Sequence, residues 1–416
     1  MSAGAQLLVQ AALLIAGPWL LWRLFGLARI VPLAVLQIVT GVLLGPAILG
    51  RIAPGVQAAI FPPGSAAAIG TVAQIGVVLY AFATGMHLDS LVLRRSRGLA
   101  LIAAGSFLVP LAAGFALAVP LARVWPETLP PGTPFGLYAA ALALLLSVTA
   151  LPVLAALLDE LGLIGTGFGQ RALGLAAITD AGMWLCVAAI LLVAGGAATV
   201  GSILWLPAYG LLLWAAGRGL AWLAGRGDMA APLILAAAFA ALSAALADMI
   251  GLGAVIGAFA AGMIVPARLR ADIRARIEWP ALFLLMPFFF MATGLRITAD
   301  LLSPALVALV LLLTGAAVIA KVAGVALAAR IAGLTQREGL ALGVALQTKG
   351  LMEVLVATIL VERGVIGGAL FAPLVLMALA CTLLTGPLLR VLSPATGAKP
   401  HPLCPEAPPS PCPPSR

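Results

Sequence analysis

Apolar runs of about twenty residues follow one another along most of this 416-residue chain, and they limit what it can fold into. Hydrophobic residues make up 63% of the sequence and charged residues only 9%, with a mean hydropathy of +1.18. A helix needs about 20 apolar residues to cross the roughly 30 Å hydrocarbon core of a bilayer. Helices satisfy their own backbone hydrogen bonds in lipid. The sequence therefore predicts an all-α integral membrane protein.

We predict thirteen transmembrane helices in the apolar runs. Their predicted bounds are 5–25, 30–50, 66–88, 97–123, 135–159, 168–195, 200–224, 229–249, 252–266, 279–298, 304–330, 337–362 and 368–392. Residues 1–392 thus form one transmembrane domain. Residues 393–416 are rich in proline and poor in bulky apolar side chains, a composition typical of a disordered cytosolic tail.

The net charge of +9 follows the predicted topology. If the N-terminus lies outside and all segments span, 17 of the 23 lysines and arginines fall in inside loops. Only four fall outside, and Lys321 and Lys349 lie within segments. Because cytoplasmic loops carry an excess of basic residues, this pattern predicts an outside N-terminus and a cytosolic C-terminus. The expected location is a bacterial inner (plasma) membrane, and a nucleic-acid partner is not expected.

Metal and cofactor signatures are missing from the sequence. The two histidines, His87 and His401, are far apart, and the four cysteines form no CxxC pair. We therefore expect neither a transition-metal site nor a cofactor. The enzyme motifs GxSxG and HExxH are also absent, so an intramembrane enzyme is not favoured.

Three pairs of segments repeat at an offset of seven. Residues 141–165 align with 341–367, Phe82–Leu88 with Met291–Ile297, and Gly41 and Gly45 with Ala258 and Gly262. Because seven is odd, the two copies cross the membrane in opposite directions. This is the inverted-topology repeat found in secondary transporters.

The fifth and twelfth segments carry helix-breaking and polar residues at matching points. The fifth has Ser147, Thr149 and Pro152, and the twelfth has Gln347, Thr348, Lys349 and Gly350. Proline removes a backbone donor, and glycine loosens a helix by about 1 kcal/mol relative to alanine. Irregular backbone at bilayer depth is tolerated where it is buried in protein or lines a cavity. We therefore predict two broken helices whose freed backbone groups face an ion.

Asp180 lies near the middle of the sixth segment. No other charged residue lies within eight positions of it in either direction. A charged group at this depth costs roughly 2.5 to 3.5 kcal/mol on insertion scales, so it indicates an ion, a proton or a partner. The structural alternative is an ion pair with Lys321. Glu353 follows Lys349 by four residues, a spacing that fits either simple pairing on one helix face or a gating or proton-pathway role.

Several blocks of sequence resemble the monovalent cation:proton antiporters of the second branch, which include Kef-type potassium/proton exchangers and plant cation/proton exchangers. These blocks include IGVVLYAFATGMHLDSLVLRRS, SVTALPVLAALLDELGLIG, ADMIGLGAVIGAFAAGMIVP and REGLALGVALQTKGLMEVLV. The resemblance implies a sodium/proton antiporter-like fold with a core (about 66–195 and 279–392) and a scaffold (about 1–50 and 200–266). It also implies a homodimer and an ion-site dipeptide at Thr179 and Asp180, with Lys321 as charge partner.

Thr179 departs from that resemblance. Relatives carry asparagine or aspartate at this position, and a threonine cannot neutralise an ammonium group. Lys321 then has Asp180 or Glu353 as an alternative partner. The sequence predicts an antiporter, with a role in pH homeostasis, in which a proton and Na⁺ or K⁺ compete for Asp180. The hydroxyl groups of Ser147, Thr149 and Thr179 are expected to assist. A regulated potassium-efflux pathway resembling a channel is the alternative.

Overall fold

The computed structural model describes residues 3–26, 33–62, 64–86, 97–195, 205–223, 230–297, 301 and 303–392, and all regular structure within these ranges is helical. The proline-rich tail predicted at 393–416, His87 and His401 lie outside them. The helices are α1 (Ala3–Leu24), α2 (Leu33–Leu44), α3 (Leu49–Ile52), α4 (Pro54–Ile60), α5 (Ser65–Gly85), α6 (Arg97–Val124), α7 (Phe135–Ser147), α8 (Leu151–Glu160), α9 (Gly167–Ala194), α10 (Leu206–Leu223), α11 (Ala230–Met249), α12 (Ala254–Met263), α13 (Ala267–Pro280), α14 (Met286–Leu295), α15 (Pro304–Ile331), α16 (Gln336–Leu346), α17 (Leu351–Glu362) and α18 (Phe371–Leu392).

Nine helical stretches in the described part of the chain are long and apolar enough to cross a membrane. Shorter apolar helices include α7 and α12. The predicted fifth and twelfth segments each consist of two short helices, α7 with α8 and α16 with α17. The all-helical membrane fold is therefore confirmed, while the number of thirteen spans stays a prediction.

Many large apolar side chains remain exposed on the outer faces of the helices. Leu311, Ile319 and Leu327 on α15 are examples, as is Trp205 just before α10. In water such a surface is unfavourable at roughly 25 cal/mol per Å² of apolar area. Contact with lipid removes that cost, which agrees with an integral membrane protein.

Glycines let helices of the two repeats approach each other closely. A Cβ added at Gly85 on α5 would overlap backbone of α12 near Gly262, and the reverse also holds. Gly41 on α2 and Gly294 on α14 have the same relation. Each copy of the repeated Ala-Thr-Gly sequence thus packs against the other copy's glycine-bearing helix. Small residues commonly allow this approach in membrane proteins.

The two long helices α6 and α15 pack directly against each other. They meet at Gly105 and Gly324, where an added Cβ would overlap the opposite backbone. Helix α7 packs on α6 and helix α16 packs on α15, so each long helix supports one of the interrupted segments. This arrangement brings the two interruptions to the same part of the molecule.

Candidate ion-binding site

The first interruption lies between α7 and α8. Helix α7 ends at Ser147, and Val148 is extended with φ −58° and ψ 143°. Residues 148–150 are non-helical, and α8 starts at Leu151. The sequence predicted an interruption over Ser147 to Pro152, and the observed break lies within that range, with Pro152 in the first turn of α8. The physical reason is that proline fits the first turn of a helix, where its missing N–H group is not needed.

The second interruption covers Gln347 to Gly350. Helix α16 begins with a capping box in which Thr335 and Glu338 exchange hydrogen bonds, and it ends at Leu346. Gly350 has φ 140° and ψ −115°, a conformation that other residues rarely adopt. Helix α17 then starts at Leu351. The predicted interruption of this segment is confirmed, and Gly350 provides the sharp change of direction.

The two interruptions contact each other directly. The Ala150 amide donates a hydrogen bond to the Thr348 carbonyl oxygen at 2.9 Å. The Thr149 hydroxyl donates to the Leu346 carbonyl oxygen, also at 2.9 Å. Backbone groups released by one broken helix are therefore satisfied by the other. The sequence placed both breaks at the same depth, and the structure joins them.

Lys321 caps the carboxyl end of α7. Its side chain is fully buried, and Nζ donates to the carbonyl oxygens of Ser147 at 2.5 Å and Ser106 at 2.9 Å. Nζ also lies 3.1 Å from Thr149 Oγ1. The carboxyl end of a helix carries a partial negative charge, so an ammonium group is favourable there.

Lys349 caps the same end of α7 from the second repeat. Its Nζ donates to the carbonyl oxygens of Leu145 at 2.9 Å and Leu146 at 3.2 Å. Nζ also forms an ion pair with Glu353 Oε2 at 3.2 Å. Both side chains are buried, and Glu353 lies in the first turn of α17. The structure thus contains the pairing that the four-residue spacing suggested.

The carboxyl end of α16 is capped by neutral groups. The Gln347 amide donates to Gly343 and Val344, and the Thr348 amide and hydroxyl donate to Ala345. Among the residues that the structure describes, no lysine or arginine is recorded donating to these carbonyl groups. The Gln347 side chain donates to Cys381 Sγ at 3.1 Å, while its Oε1 oxygen is buried and has no recorded hydrogen-bond partner.

Asp180 lies near the middle of α9, which packs against α7, α8 and α16. Its side chain is 3% exposed, and Oδ1 has no hydrogen-bond partner in the described part of the chain. No ion pair with Lys321 is recorded there. The Thr179 hydroxyl donates back to the carbonyl oxygens of Leu175 and Ala176, at 3.1 and 3.0 Å. An unpaired buried carboxylate has the chemistry to hold a proton or a hard cation.

The carbonyl oxygens at the end of α7 were expected to be free for an ion, but the structure shows them occupied. The Ser147 hydroxyl donates to Leu144, and the two lysines take the carbonyl groups that follow. In the described part of the chain, oxygens with remaining capacity near the breaks include Asp180 Oδ1, Gln347 Oε1 and Glu353 Oε1, together with carbonyl oxygens at the end of α16. Because ammonium groups repel a cation, the end of α16 is electrostatically the better place for one.

The structure contains a cavity of about 200 Å³. Its lining includes the four charged residues Asp248, Arg296, Glu362 and Arg363. Two exposed ion pairs lie at its rim, Arg363 with Asp248 at 2.8 Å and Arg296 with Glu362 at 2.9 Å. Asp248, at the end of α11, is among the residues that line this cavity. Exposed pairs of this kind contribute at most about 1 kcal/mol.

Two crossed, interrupted helices beside a buried carboxylate are the architecture of membrane carriers built from inverted repeats. The family model described as the transmembrane region of the sodium/hydrogen exchangers matches residues 11–391, and the chain belongs to that family. The family resemblance recognised in the sequence is thereby confirmed.

Relatives in plants, cyanobacteria and yeast agree with this assignment. The chain is 32% identical over 415 residues to the cation/H⁺ antiporter 20 of Arabidopsis thaliana, covering 94% of this chain and 49% of that protein. It is 27% identical to the Na⁺/H⁺ antiporter NhaS4 of Synechocystis, covering 89% of this chain and 96% of that protein. The chain spans about half the length of the plant relatives it matches.

A solved structure shares the fold. The sodium/proton antiporter MjNhaP1 of Methanocaldococcus jannaschii superposes with a TM-score of 0.56 at 16% identity, covering 93% of this chain and 94% of that one. This likeness supports the fold predicted from the sequence.

Residues that the sequence did not single out also line this region. Ser106 accepts from Lys321, and the Thr382 hydroxyl donates to the Lys349 carbonyl oxygen at 2.5 Å. Tyr80 and Trp184 are buried with polar atoms that lack hydrogen-bond partners in the described ranges. Trp184 follows Asp180 by four residues, so helical spacing on α9 was a usable signal for it. The other three come from distant helices and left no local signal.

Proposed function

We propose that this protein is a secondary active antiporter that exchanges a monovalent cation, Na⁺ or K⁺, for protons across a membrane. The observation that carries the proposal is Asp180, a buried carboxylate whose Oδ1 has no partner in the described residues and which lies beside two crossed helix breaks. Relatives of this chain are named as cation/H⁺, Na⁺/H⁺ and K⁺/H⁺ antiporters, which favours exchange over a channel-like efflux pathway.

Asp180 binds either a proton or a cation. A bare carboxylate is costly inside a membrane, whereas a protonated acid or a carboxylate with a bound cation is close to neutral. The carrier therefore switches the site from one side of the membrane to the other only when a proton or a cation neutralises Asp180. Because both ligands need the same oxygens, loading a cation from one side displaces the proton, and the return step carries a proton back.

The carboxyl end of α16 supplies the second half of the cation site. It carries the negative end of a helix dipole. Its Gln347 Oε1 is buried without a recorded partner, and α16 packs against the helix of Asp180. Carboxylate, amide and backbone oxygens are the hard ligands that Na⁺ and K⁺ favour. Lys321 and Lys349 have a different role, since they hold the end of α7 closed to the cation.

The charge arrangement favours electroneutral exchange of one cation for one proton. Thr179 provides no charge, and Lys321 is engaged with the end of α7. Only Asp180 is then left to change its state at this site. In reconstituted vesicles, we expect the rate of exchange to be unaffected by an imposed membrane potential. A Thr179→Asp variant adds a second carboxylate, and we expect its exchange to depend on the potential.

Further parts of the proposal follow the family resemblance. The core of residues about 66–195 and 279–392 moves against the scaffold of about 1–50 and 200–266, and the scaffold pairs two copies in a homodimer. The location is a bacterial inner membrane with a cytosolic C-terminus, where the exchange contributes to pH homeostasis. We propose that the protein uses no cofactor. The cation and the proton are its transported substrates.

The proposal is tested by measuring the decay of a pH gradient in vesicles that contain the purified protein. Addition of Na⁺ or K⁺ is expected to dissipate the gradient with saturation. The Asp180→Asn variant is expected to fall to the rate of empty vesicles while remaining folded in the membrane. Asp248→Asn is the matched control, because that acid lies exposed at the cavity rim. Proton-coupled exchange that persists in Asp180→Asn contradicts the proposal.

A further inference from the structure

The cavity described above is lined by residues of α5, α12, α14 and α17, and α9 contributes Leu191 to its wall. Its lining includes Val77 on α5, Leu191 on α9 and Ile256 on α12. Asp180 lies eleven residues before Leu191 on the same helix face, because eleven residues are close to three full turns. At 1.5 Å per residue, Asp180 is about 16 Å deeper than the cavity wall at Leu191.

Aromatic residues lie one or two helical turns from lining residues on three of the helices that contribute to this cavity. One turn below the lining residues are Tyr80 on α5 and Phe259 on α12, and Trp184 lies seven residues before Leu191 on α9. The rings of Trp184 and Phe259 are in contact, with centroids 5.4 Å apart and planes inclined by 32°. Asp180 lies one further turn below Trp184. Along α9, Trp184 therefore lies between the cavity wall at Leu191 and Asp180.

Three polar atoms around this aromatic layer lack hydrogen-bond partners within the described part of the chain. They are Trp184 Nε1, Tyr80 Oη and Asp180 Oδ1. The side chains are 2%, 1% and 3% exposed, respectively. Buried polar atoms are nearly always satisfied, so three in one region indicate that a ligand satisfies them.

We propose that the cation site extends from Asp180 to Tyr80 and Trp184, and that it binds the cation together with one water molecule. This inference rests on the proposed antiport function and specifies the form in which the substrate is bound. Asp180 Oδ1 and Tyr80 Oη contact the cation. Trp184 Nε1 donates a hydrogen bond to the oxygen of the retained water.

The chemistry of the three groups supports this arrangement. An indole N–H is a donor only, so it cannot ligate a cation, but it can hold a water molecule that does. A carboxylate accepts only, and a phenol oxygen both donates and accepts. A bare proton on Asp180 leaves the indole donor without an acceptor, whereas a cation with its water satisfies all three groups. Phe259 covers the site from the neighbouring helix α12 without adding a polar group.

Conservative variants test the inference by separating binding from turnover. Trp184→Phe keeps an aromatic ring against Phe259 and removes the donor, and Tyr80→Phe removes only the hydroxyl. Loss of the hydrogen bond to the water in Trp184→Phe, or of one cation ligand in Tyr80→Phe, is expected to raise the cation KM about 5- to 10-fold, with the maximal rate within about twofold of wild type. The measurement is vesicle exchange at varied Li⁺, Na⁺, K⁺ and Rb⁺, and the largest rise is expected for the more strongly hydrated Li⁺ and Na⁺.

Two variants provide matched controls. Trp205→Phe changes an exposed tryptophan, and Tyr138→Phe changes a buried tyrosine whose hydroxyl is within 2.9 Å of Thr128 Oγ1. Neither is expected to alter KM. An unchanged KM in both Trp184→Phe and Tyr80→Phe overturns the inference while leaving antiport intact. A lower maximal rate with unchanged KM also overturns the inference. That result means that the two side chains affect a step of the transport cycle but do not bind the cation or its water. Absence of cation/proton exchange in wild type contradicts the proposed function itself.

Discussion

The two helix breaks share a backbone design but differ in how their ends are capped. The carboxyl end of α7 receives two buried ammonium groups, from Lys321 and Lys349. The carboxyl end of α16 receives backbone amides and threonine hydroxyls. Equivalent positions in an inverted repeat therefore carry different charge. Because of this difference, the end of α16 is the more negative of the two helix ends.

Both lysines that cap the first repeat belong to the second. Lys349 lies at the break of its own segment, and Glu353 pairs with it from the first turn of α17. The ammonium group is thus next to the negative end of α7, and the carboxylate is next to the positive end of α17. This arrangement joins the two repeats electrostatically, so they are expected to move as one unit during transport.

The largest expected effect comes from removing Lys349. The Lys349→Met variant leaves Glu353 buried without its partner and leaves carbonyl groups of α7 without a donor. Breaking a buried ion pair on one side typically costs about 3–5 kcal/mol. We expect a clear fall in the melting temperature of the purified protein in detergent and in the folded yield from membranes.

Two further variants show whether the unpaired acid causes this loss. The double variant Lys349→Met with Glu353→Gln removes the charge on both sides, so most of the lost stability is expected to return. Lys321→Met leaves no acid without its partner in the described contacts, and we expect a smaller loss, about 1–3 kcal/mol for a carbonyl group left without its donor. Equal losses for the two lysine variants contradict the assigned pairing.

A medium effect is expected at Gly350, which has no equivalent in the first break. Alanine at φ 140° is strained even though space for a Cβ exists, since the nearest side-chain atom would be 3.4 Å away. Strained backbone of this kind costs about 1–3 kcal/mol. Gly350→Ala is expected to lower the melting temperature and to misplace Lys349. Gly136→Ala on α7 is the control, because that site is open and has ordinary backbone angles. A melting temperature equal to wild type shows that the turn does not require glycine.

The sequence predicted the fold well because the relevant signals are local. Apolar run length and the repeated Ala-Thr-Gly sequences both lie within single segments. The interruption at Gln347 to Gly350 was likewise predicted from residues at that point. The first break likewise lies within the predicted range Ser147 to Pro152, and the proline occupies the start of the following helix, where it is well tolerated.

The site was harder to predict because its contacts join distant parts of the chain. The sequence named Asp180, Lys321, Lys349 and Glu353, but hydrogen bonds between residues about 200 positions apart decide which groups they contact. Local spacing predicted the Lys349 and Glu353 pair. It could not predict that both lysines cap α7, because this depends on how α15 and α16 pack against the first repeat.

The smallest expected effect tests the direct link between the breaks. The Thr149 hydroxyl donates to the Leu346 carbonyl oxygen and accepts from Lys321. Thr149→Val keeps the shape and removes both contacts, for an expected loss of about 1 kcal/mol. The same change frees the Leu346 carbonyl oxygen at the end of α16, which adds an available ligand where we place the cation. We therefore expect slightly lower thermal stability together with a cation KM that does not increase.

Thr71→Val, whose hydroxyl bonds only within its own helix, should change neither quantity. A weaker cation affinity in Thr149→Val argues that the hydroxyl itself is a ligand and that the two breaks share the ion equally.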